Sequence, residues 1–364
     1  SKYESTSLPV YYLVIKILNI TDIFKIGLFN MFISLISVLI FYKSLSNISK
    51  KYSFKTDNVV LFSISSLPLL SPYFRTSTFW MLEENIGYLF MLLSIFLWTK
   101  KKTYLNIFLC IIFSSLAFYS RQSYAFICII IFFSLIDFKK IFCYKNYFIS
   151  FVFFFSLFPS TYFFFEWKGL IPPYAATDRS ISFKFINLLI IFSICLFYLI
   201  PFFVIEKKSV VIDFLKKNDK ILIIFFIFFS LFFFKEIQQD DVYYKFELGG
   251  GIIYKLVFLL NFLFENFFLK KVIFLILSYI GLILIFYFSL KTFELKLFFF
   301  VFILIFSNAN IIFQEYFDPM ITILMMIFYI IKHSGSNLTN LYFILFGYKS
   351  ILLLSSLIYY YKFI

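Results

Sequence analysis

Residues 71–87 read SPYFRTSTFWMLEENIG and carry Arg75 together with the adjacent carboxylates Glu83 and Glu84. They lie between two apolar runs, residues 59–70 and residues 86–98. Charged side chains beside a hydrocarbon layer are costly unless they are paired or hydrated. We therefore expect a polar site at a membrane face, with the apolar segments of the chain as its scaffold. The alternative interpretation is a solvated turn with a charged rim.

The composition predicts an all-α, polytopic transmembrane bundle. The 364 residues are 62% hydrophobic and 14% charged, whereas soluble domains are about 45–50% apolar and about 25% charged. The net charge is +14, and six alternate loops carry four, three, three, five, two and one Lys or Arg. The positive-inside rule explains this distribution and places these loops in the cytoplasm. We therefore expect membrane lipids as partners, and no nucleic acid.

The apolar runs predict about twelve spans in a single transmembrane domain over residues 1–364. Residues 8–20 are too short to span, begin with Pro9 and include Lys16, so they are predicted to form an interfacial amphipathic helix. Residues 166–183 and 235–271 are predicted to be non-cytoplasmic loops. The chain begins at Ser1 without a methionine or a signal-like segment, and we expect that an N-terminal first span is missing from it.

The distribution of cysteine and histidine argues against a metal site or a disulfide framework. The four cysteines occur singly, without a CxxC pair, and the one histidine, His333, follows Lys332 in a basic loop. Metal sites and disulfide scaffolds depend on clustered ligands or paired cysteines. We therefore expect no metal site and no disulfide framework.

Glu83 and Glu84 are the candidates for a general base. Adjacent residues do not point to the same side of a helix, so at most one of the two carboxylates is expected to face a site. Arg75, eight residues before Glu83, could neutralise the other.

Two basic positions are candidates for binding phosphate. Arg121 and Gln122 end an apolar run, and a guanidinium can hold a phosphate with several fixed donors. Snorkelling of Arg121 to lipid headgroups is the alternative. Asp178 and Arg179 follow two prolines in the loop 166–183. They could bind a sugar or a phosphate, or they could cap the next helix.

The short polar segment near residue 315 is a candidate for sugar binding. Glu315 and Asp318 could bind sugar hydroxyls, and Tyr316 could serve as a stacking platform. A tight turn closed by Asp318 and Pro319 is the alternative.

Five short motifs, in this order, resemble GT-C class membrane glycosyltransferases that use polyprenyl-phosphate sugars. The likeness is nearest to the dolichyl-phosphate-glucose-dependent α-1,2-glucosyltransferase family. The first motif is SLPVYYLVIKIL at residues 7–18, and the second is LPLLSPYFRTSTFWMLEENIG at residues 67–87, which is similar to a Ser-Pro-aromatic-Tyr turn and span. Arg121-Gln122-Ser123 is similar to an Arg-Gln-Thr motif, and Asp178-Arg179-Ser180 is similar to an Asp-Lys-Ser loop. EYFDPM at residues 315–320 is similar to a Glu-aromatic-Tyr-proline turn.

The resemblance implies transfer of a hexose from a polyprenyl-phosphate sugar to a lipid-linked glycan or glycolipid acceptor, at the non-cytoplasmic face and without a cofactor. It implies that Arg121, with Arg75 or Arg179, holds the donor phosphate while a carboxylate deprotonates the acceptor. GT-C enzymes carry that carboxylate in their first lumenal loop, which has no counterpart here unless Glu4 is its remnant. A bacterial inner membrane is expected rather than the endoplasmic reticulum.

Other functions remain open at this point. A transporter or flippase for lipid-linked sugars needs ionisable groups within its spans, and the predicted spans are nearly free of charge. A polymerase of the O-antigen type would share the substrates and the membrane face. The long outer loops contain more Lys than Arg, which favours a transferase over such a polymerase. A non-catalytic membrane protein is the third alternative.

Overall fold

A computed structural model describes residues 10–52, 57–79, 83–167, 183–236, 249–258, 266–309, 312–330 and 338–363. Within these ranges the chain forms α-helices and short 3-10 turns, with no β-strand. The all-α class is therefore confirmed. Among the described residues, four helices are long and apolar enough to cross a membrane, which makes this a membrane protein. They are Ile23–Lys51, Tyr144–Trp167, Phe185–Val204 and Phe267–Ser289.

The helices fall into two compact units. Unit 1 comprises residues 1–179 and 345–364, and unit 2 comprises residues 180–344. The helices of unit 1 are α1 (Val10–Ile17), α2 (Ile23–Lys51), α3 (Asn58–Ser66), α4 (Pro72–Phe79), α5 (Glu84–Thr99), α6 (Tyr104–Ser120), α7 (Ala125–Leu135) and α8 (Tyr144–Trp167). The helices of unit 2 are α9 (Phe185–Val204), α10 (Lys208–Lys217), α11 (Asp219–Glu236), α12 (Gly251–Phe258), α13 (Phe267–Ser289), α14 (Phe293–Ser307) and α15 (Met320–Ile330). A final helix, α16 (Leu338–Phe363), begins in unit 2 and continues into unit 1.

Local sequence signals set where several helices of unit 1 begin. The Asp22 carboxylate accepts a hydrogen bond from the backbone N–H of Phe24 at the start of α2 (3.2 Å), and the Thr103 hydroxyl accepts one from Asn106 at the start of α6 (3.2 Å). Side-chain caps of this kind satisfy the N–H groups that the first helical turn leaves unpaired. The starts of α2 and α6 are thus encoded locally.

The core of unit 1 is built on α2, α5 and α6. Helix α5 packs extensively against both α2 and α6. The short helix α1 adds to this core through an apolar cluster in which Tyr11, Ile33 and Ile86 are buried. Lysines follow α2, α5 and α7 at their C-termini. The start of α5 and the end of α6 therefore meet at the opposite end, where the described lysines are fewer: Lys16 of α1 and Lys25 at the start of α2.

The core of unit 2 is built around α9, which packs most extensively against α13. A Cβ atom added to Gly281 of α13 would lie 2.0 Å from the backbone oxygen of Phe192 in α9. Because only glycine leaves room for this contact, Gly281 brings the two backbones together. Helices α12 and α14 also pack on α9.

The structure adds detail to the two segments predicted as non-cytoplasmic loops. The described part of residues 235–271 is helical at both ends and contains all of α12, while residues 237–248 and 259–265 lie outside the described ranges. In the segment 166–183, α8 continues to Trp167, and residues 168–182 lie outside the described ranges.

Candidate functional site

The Glu84–Arg121 ion pair is the centre of the candidate site. Glu84 is the first residue of α5, and Arg121 adopts an extended backbone directly after α6. Because α5 and α6 pack side by side, these two helix ends bring the side chains together, and Arg121 Nη1 donates to Glu84 Oε1. The Arg121 and Glu84 side chains are 19% and 20% exposed. The pair is thus partly desolvated but remains accessible from outside.

Tyr124 supports the pair from the next turn of the chain. Residues Gln122–Tyr124 form a 3-10 turn between α6 and α7. The buried Tyr124 hydroxyl donates to the backbone oxygen of Glu84 (3.4 Å). The Tyr124 ring lies against Gly87, where an added Cβ would be 2.8 Å from Tyr124 Cε2. Gly87 therefore makes the close approach of this ring to α5 possible.

A buried polar network runs beneath the ion pair. Asn85 Nδ2 donates to Ser34 Oγ (3.2 Å), Ser34 Oγ donates to the backbone oxygen of Asn30 (2.8 Å), and Asn30 Nδ2 donates to the Tyr11 hydroxyl (3.2 Å). All four residues are buried. Hydrogen bonds in a low-dielectric interior hold their partners in one arrangement. The network therefore ties α5, beginning at Glu84, to α2 and α1.

The charges of Glu83 and Glu84 affect the pKa of Tyr11. The pKa of Tyr11 is raised to about 12, chiefly by burial; the hydrogen bond with Asn30 opposes the rise, and the charges of Glu83 and Glu84 contribute to it. Both glutamates therefore lie close enough to act on this hydroxyl. Tyr11 remains protonated at physiological pH and can also donate to Asn30 Oδ1 (3.4 Å).

The structure brings together some of the residues predicted to form the site. Glu84 and Arg121 are in contact, and Glu83 and Gln122 lie next to them in the chain and are half-buried. Arg75, which could neutralise the glutamate that does not face the site, is exposed on α4, and Glu84 is paired with Arg121. Asp178 and Arg179 lie outside the described residues.

The predicted sugar-binding segment near residue 315 lies in unit 2 and is a tight turn. The backbone N–H of Phe317 donates to the oxygen of Gln314 (3.0 Å), and the peptide bond between Asp318 and Pro319 is cis. The ring of Tyr316 is stacked on Phe306, with centroids 5.4 Å apart. Asp318 is buried, and the side chain of Glu315 is not among those described. One face of the proposed stacking platform is therefore already in contact with the protein.

Gln314 is a structural residue that the sequence reasoning missed. It is buried, its Nε2 donates to the hydroxyl of Tyr198 (3.1 Å), and its Oε1 accepts from the backbone N–H of Ile252 (2.7 Å). These two bonds connect the turn to α9 and to the first residues of α12. In the sequence Gln314 is an uncharged amide directly before the acidic residues Glu315 and Asp318. The charged residues are more conspicuous candidates for a site, so Gln314 was not singled out.

Two lysines of the described residues are buried. Lys270, near the start of α13, is 3% exposed and donates to the backbone oxygen of Phe258 (3.2 Å). Lys349, in α16, is 1% exposed. Lys349 lies in a predicted span, where hydropathy averaged over a long apolar run hides a single charge, whereas Lys270 was assigned to the predicted loop 235–271.

The described part of the chain contains no group of three His, Cys, Asp or Glu side chains that could hold a metal ion. The candidate site offers the guanidinium of Arg121, with Gln122 next to it in the chain. No protein-family model, curated protein or solved structure matches this chain.

Proposed function

We propose that this chain is an integral-membrane glycosyltransferase that moves a hexose from a polyprenyl-phosphate sugar to a lipid-linked glycan or glycolipid acceptor. The observation that supports the proposal is the Glu84–Arg121 pair, a carboxylate and a guanidinium held side by side and partly exposed at the ends of two apolar helices. This reaction needs both groups, one to accept a proton and one to hold a phosphate. The sequence motifs that resemble GT-C enzymes include both residues.

In this proposal the donor phosphate opens the ion pair. A guanidinium binds phosphate oxygens through two parallel N–H donors, so the donor competes with Glu84 for Arg121. The released Glu84 carboxylate then accepts the proton of the acceptor hydroxyl. The acceptor oxygen bonds to the anomeric carbon as the bond from that carbon to the phosphate oxygen breaks. Arg121 stabilises the charge on the departing polyprenyl phosphate.

The proposal includes a multi-pass topology of about twelve spans in a bacterial inner membrane. Besides the four long helices, five apolar segments of 10–17 residues are described, at Asn58–Leu70, Glu84–Thr99, Tyr104–Ser120, Gln122–Leu135 and Leu338–Leu354. Helix α1 would lie at the interface, beside the site. The site would face away from the cytoplasm because it lies at the opposite end of unit 1 from the lysine clusters.

The test is transfer of radiolabelled sugar from a panel of polyprenyl-phosphate sugars by the full-length protein in membranes. Glu84→Gln removes the base and should lower transfer by about 10²–10⁴-fold. Arg121→Ala should lower transfer by about 10²–10³-fold. Arg121→Lys keeps the charge but loses the bidentate geometry, so we expect an intermediate loss.

The matched control is Glu206→Gln, which disrupts the ion pair between Glu206 and Lys291 in unit 2 (3.1 Å). It should leave transfer close to that of the parent protein. If Glu84→Gln retains full transfer, Glu84 is not the base. If the parent protein transfers no sugar from any donor, the assignment as a transferase is wrong.

A transporter of lipid-linked sugars is the second candidate, because Lys349 is buried within an apolar helix. Buried ionisable groups in such helices often mark transport pathways. A transporter would move labelled lipid-linked sugar across sealed vesicles without forming a new glycosidic bond. Lys349→Met would then stop this movement, whereas a transferase would form product whether or not the label crosses.

A further inference from the structure

An apolar cavity of about 400 Å³ lies in unit 2, where α9, α10 and α13 meet. Its volume falls within the range of small-molecule sites, roughly 300–1,000 Å³. Its lining is aliphatic and aromatic, and Ile200, Leu215 and Ile280 in that lining are each more than a third exposed. The cavity is therefore open at the surface of the unit.

The cavity exists because α10 covers the α9–α13 groove without filling it. Gly281 holds α9 and α13 together at mid-helix, and α10 lies over the groove nearer their C-terminal ends. Helix α10 has no buried residue. Its ring contact is through Phe214, whose centroid lies 5.0 Å from that of Tyr287. Helix α10 therefore leaves space beneath it for another apolar group.

The sequence of α10 explains which side faces the cavity. Val211, Phe214 and Leu215 line the cavity, and their spacing of three and four residues places them on one face of the helix. Asp213 is exposed and, at about 100° per residue, lies on the opposite face. The covering helix thus presents hydrocarbon inward and its acidic residue outward.

The helix that covers this cavity carries exposed lysines at both of its ends. Residues 207–220 contain five lysines and two aspartates. Lys207, Lys208, Lys216 and Lys217 are all exposed. They lie at the two ends of α10, and long lysine side chains can extend from an apolar surface to a polar headgroup. The combination matches the charge and the chain of an anionic lipid.

We propose that the cavity binds an acyl chain of an anionic phospholipid whose phosphate is held by the lysines of α10. An open apolar cavity favours hydrocarbon over water, because water finds no polar partners there. A polybasic helix at a membrane surface attracts anionic headgroups. The cavity is lined by residues of unit 2 alone, and this proposal does not depend on the proposed transferase activity.

The experiment compares phosphatidylglycerol with phosphatidylcholine of identical acyl chains, each added to the full-length protein in detergent. Bound lipid is counted by native mass spectrometry, and the thermal midpoint is followed, because a ligand of the folded state raises it. We expect about tenfold or greater preference for phosphatidylglycerol, given the attraction that each lysine provides. Changing Lys207, Lys208, Lys216 and Lys217 to Gln should abolish the preference.

Two matched controls test the location. Changing Lys100, Lys101, Lys102 and Lys139 to Gln removes the same charge from loops of unit 1 and should leave the preference intact. Leu215→Trp fills the cavity and should release both lipids, whereas Ile212→Trp, at an equally exposed position of α10 outside the cavity lining, should not.

Four outcomes would overturn the proposal. The first is equal binding of the two lipids by the parent protein. The second is an equal loss of preference in both lysine variants, which would indicate attraction by surface charge alone. The third is the same thermal protection by inorganic phosphate, which would show that no acyl chain is needed. Displacement of the bound lipid by polyprenyl phosphate at equal concentration would assign the cavity to the donor instead.

Discussion

At the scale of single residues, Gly87 determines how closely Tyr124 approaches Glu84. An alanine Cβ at position 87 would lie 2.8 Å from Tyr124 Cε2 and 3.2 Å from the Cβ of Ser120. Both neighbours are buried, so neither can move away freely. We expect Gly87→Ala to lower the free energy of unfolding by about 1–3 kcal/mol, the usual cost of overpacking. Thermal unfolding in detergent measures it.

Gly347 in α16 provides the control for this prediction. No atom of the described residues lies within 4 Å of an added Cβ at that position. Gly347→Ala should therefore stabilise the protein, by up to about 1 kcal/mol, because alanine is the better helix former. If Gly87→Ala were as harmless as Gly347→Ala, the close packing of Tyr124 on α5 would be wrong.

The sequence identified the residues of the candidate site better than their pairing. Glu84 and Arg121 are conspicuous in the sequence because a charge beside an apolar run is costly. Their mutual contact was not predictable, because it depends on how α5 and α6 align across 37 residues of chain. Asn30 and Ser34 were missed because single polar residues are tolerated in apolar helices. Their role appears only when Asn85 of α5 is seen to face them.

At the scale of helices, Gly281 determines the contact between α9 and α13. An added Cβ would lie 2.0 Å from the oxygen and 2.7 Å from the carbonyl carbon of Phe192. Because these are backbone atoms of a helix, the whole of α9 would have to move. We expect Gly281→Ala to cost about 3 kcal/mol or more, at the upper end of overpacking effects, and to lower the thermal midpoint more than Gly87→Ala does.

A second measurement distinguishes separation of these helices from general damage. The cavity under α10 depends on the α9–α13 groove, so Gly281→Ala should also change lipid retention in the native mass spectra, whereas Gly87→Ala in unit 1 should not. A Gly281→Ala protein with unchanged stability would contradict the backbone contact.

The sequence predicted the helices that have strong local signals. It was less informative where tertiary contacts determine whether a helix forms. Helix α2 begins at the cap provided by Asp22, and its apolar run is long, so its existence follows from the sequence. Helix α12 lies in a segment that was assigned to a loop because of its polar neighbours. It begins at Gly251, where the positive φ of three successive glycines and the bond from Ile252 to Gln314 direct the chain. That bond joins residues 62 positions apart, so the local sequence does not predict it.

At the scale of the whole molecule, the orientation in the membrane can be tested with a native cysteine. Cys143 lies between α7 and α8, beside Lys140 and Lys145, and is half-exposed. The other three cysteines, Cys110, Cys128 and Cys195, are buried. A thiol reagent that cannot cross membranes should therefore report on Cys143, because buried thiols are inert.

Helix α8 places a matched control at the other end of the same span. It has 24 residues, or about 36 Å at 1.5 Å per residue, which exceeds the roughly 30 Å hydrocarbon core. In sealed right-side-out vesicles, Cys143 should react only after permeabilisation, because the positive-inside rule places its loop in the cytoplasm. Glu166 is exposed near the far end of α8. In the double variant Cys143→Ser, Glu166→Cys, the new cysteine should react before permeabilisation. The reverse pattern would place the Glu84–Arg121 pair on the cytoplasmic side and contradict the proposed site of transfer.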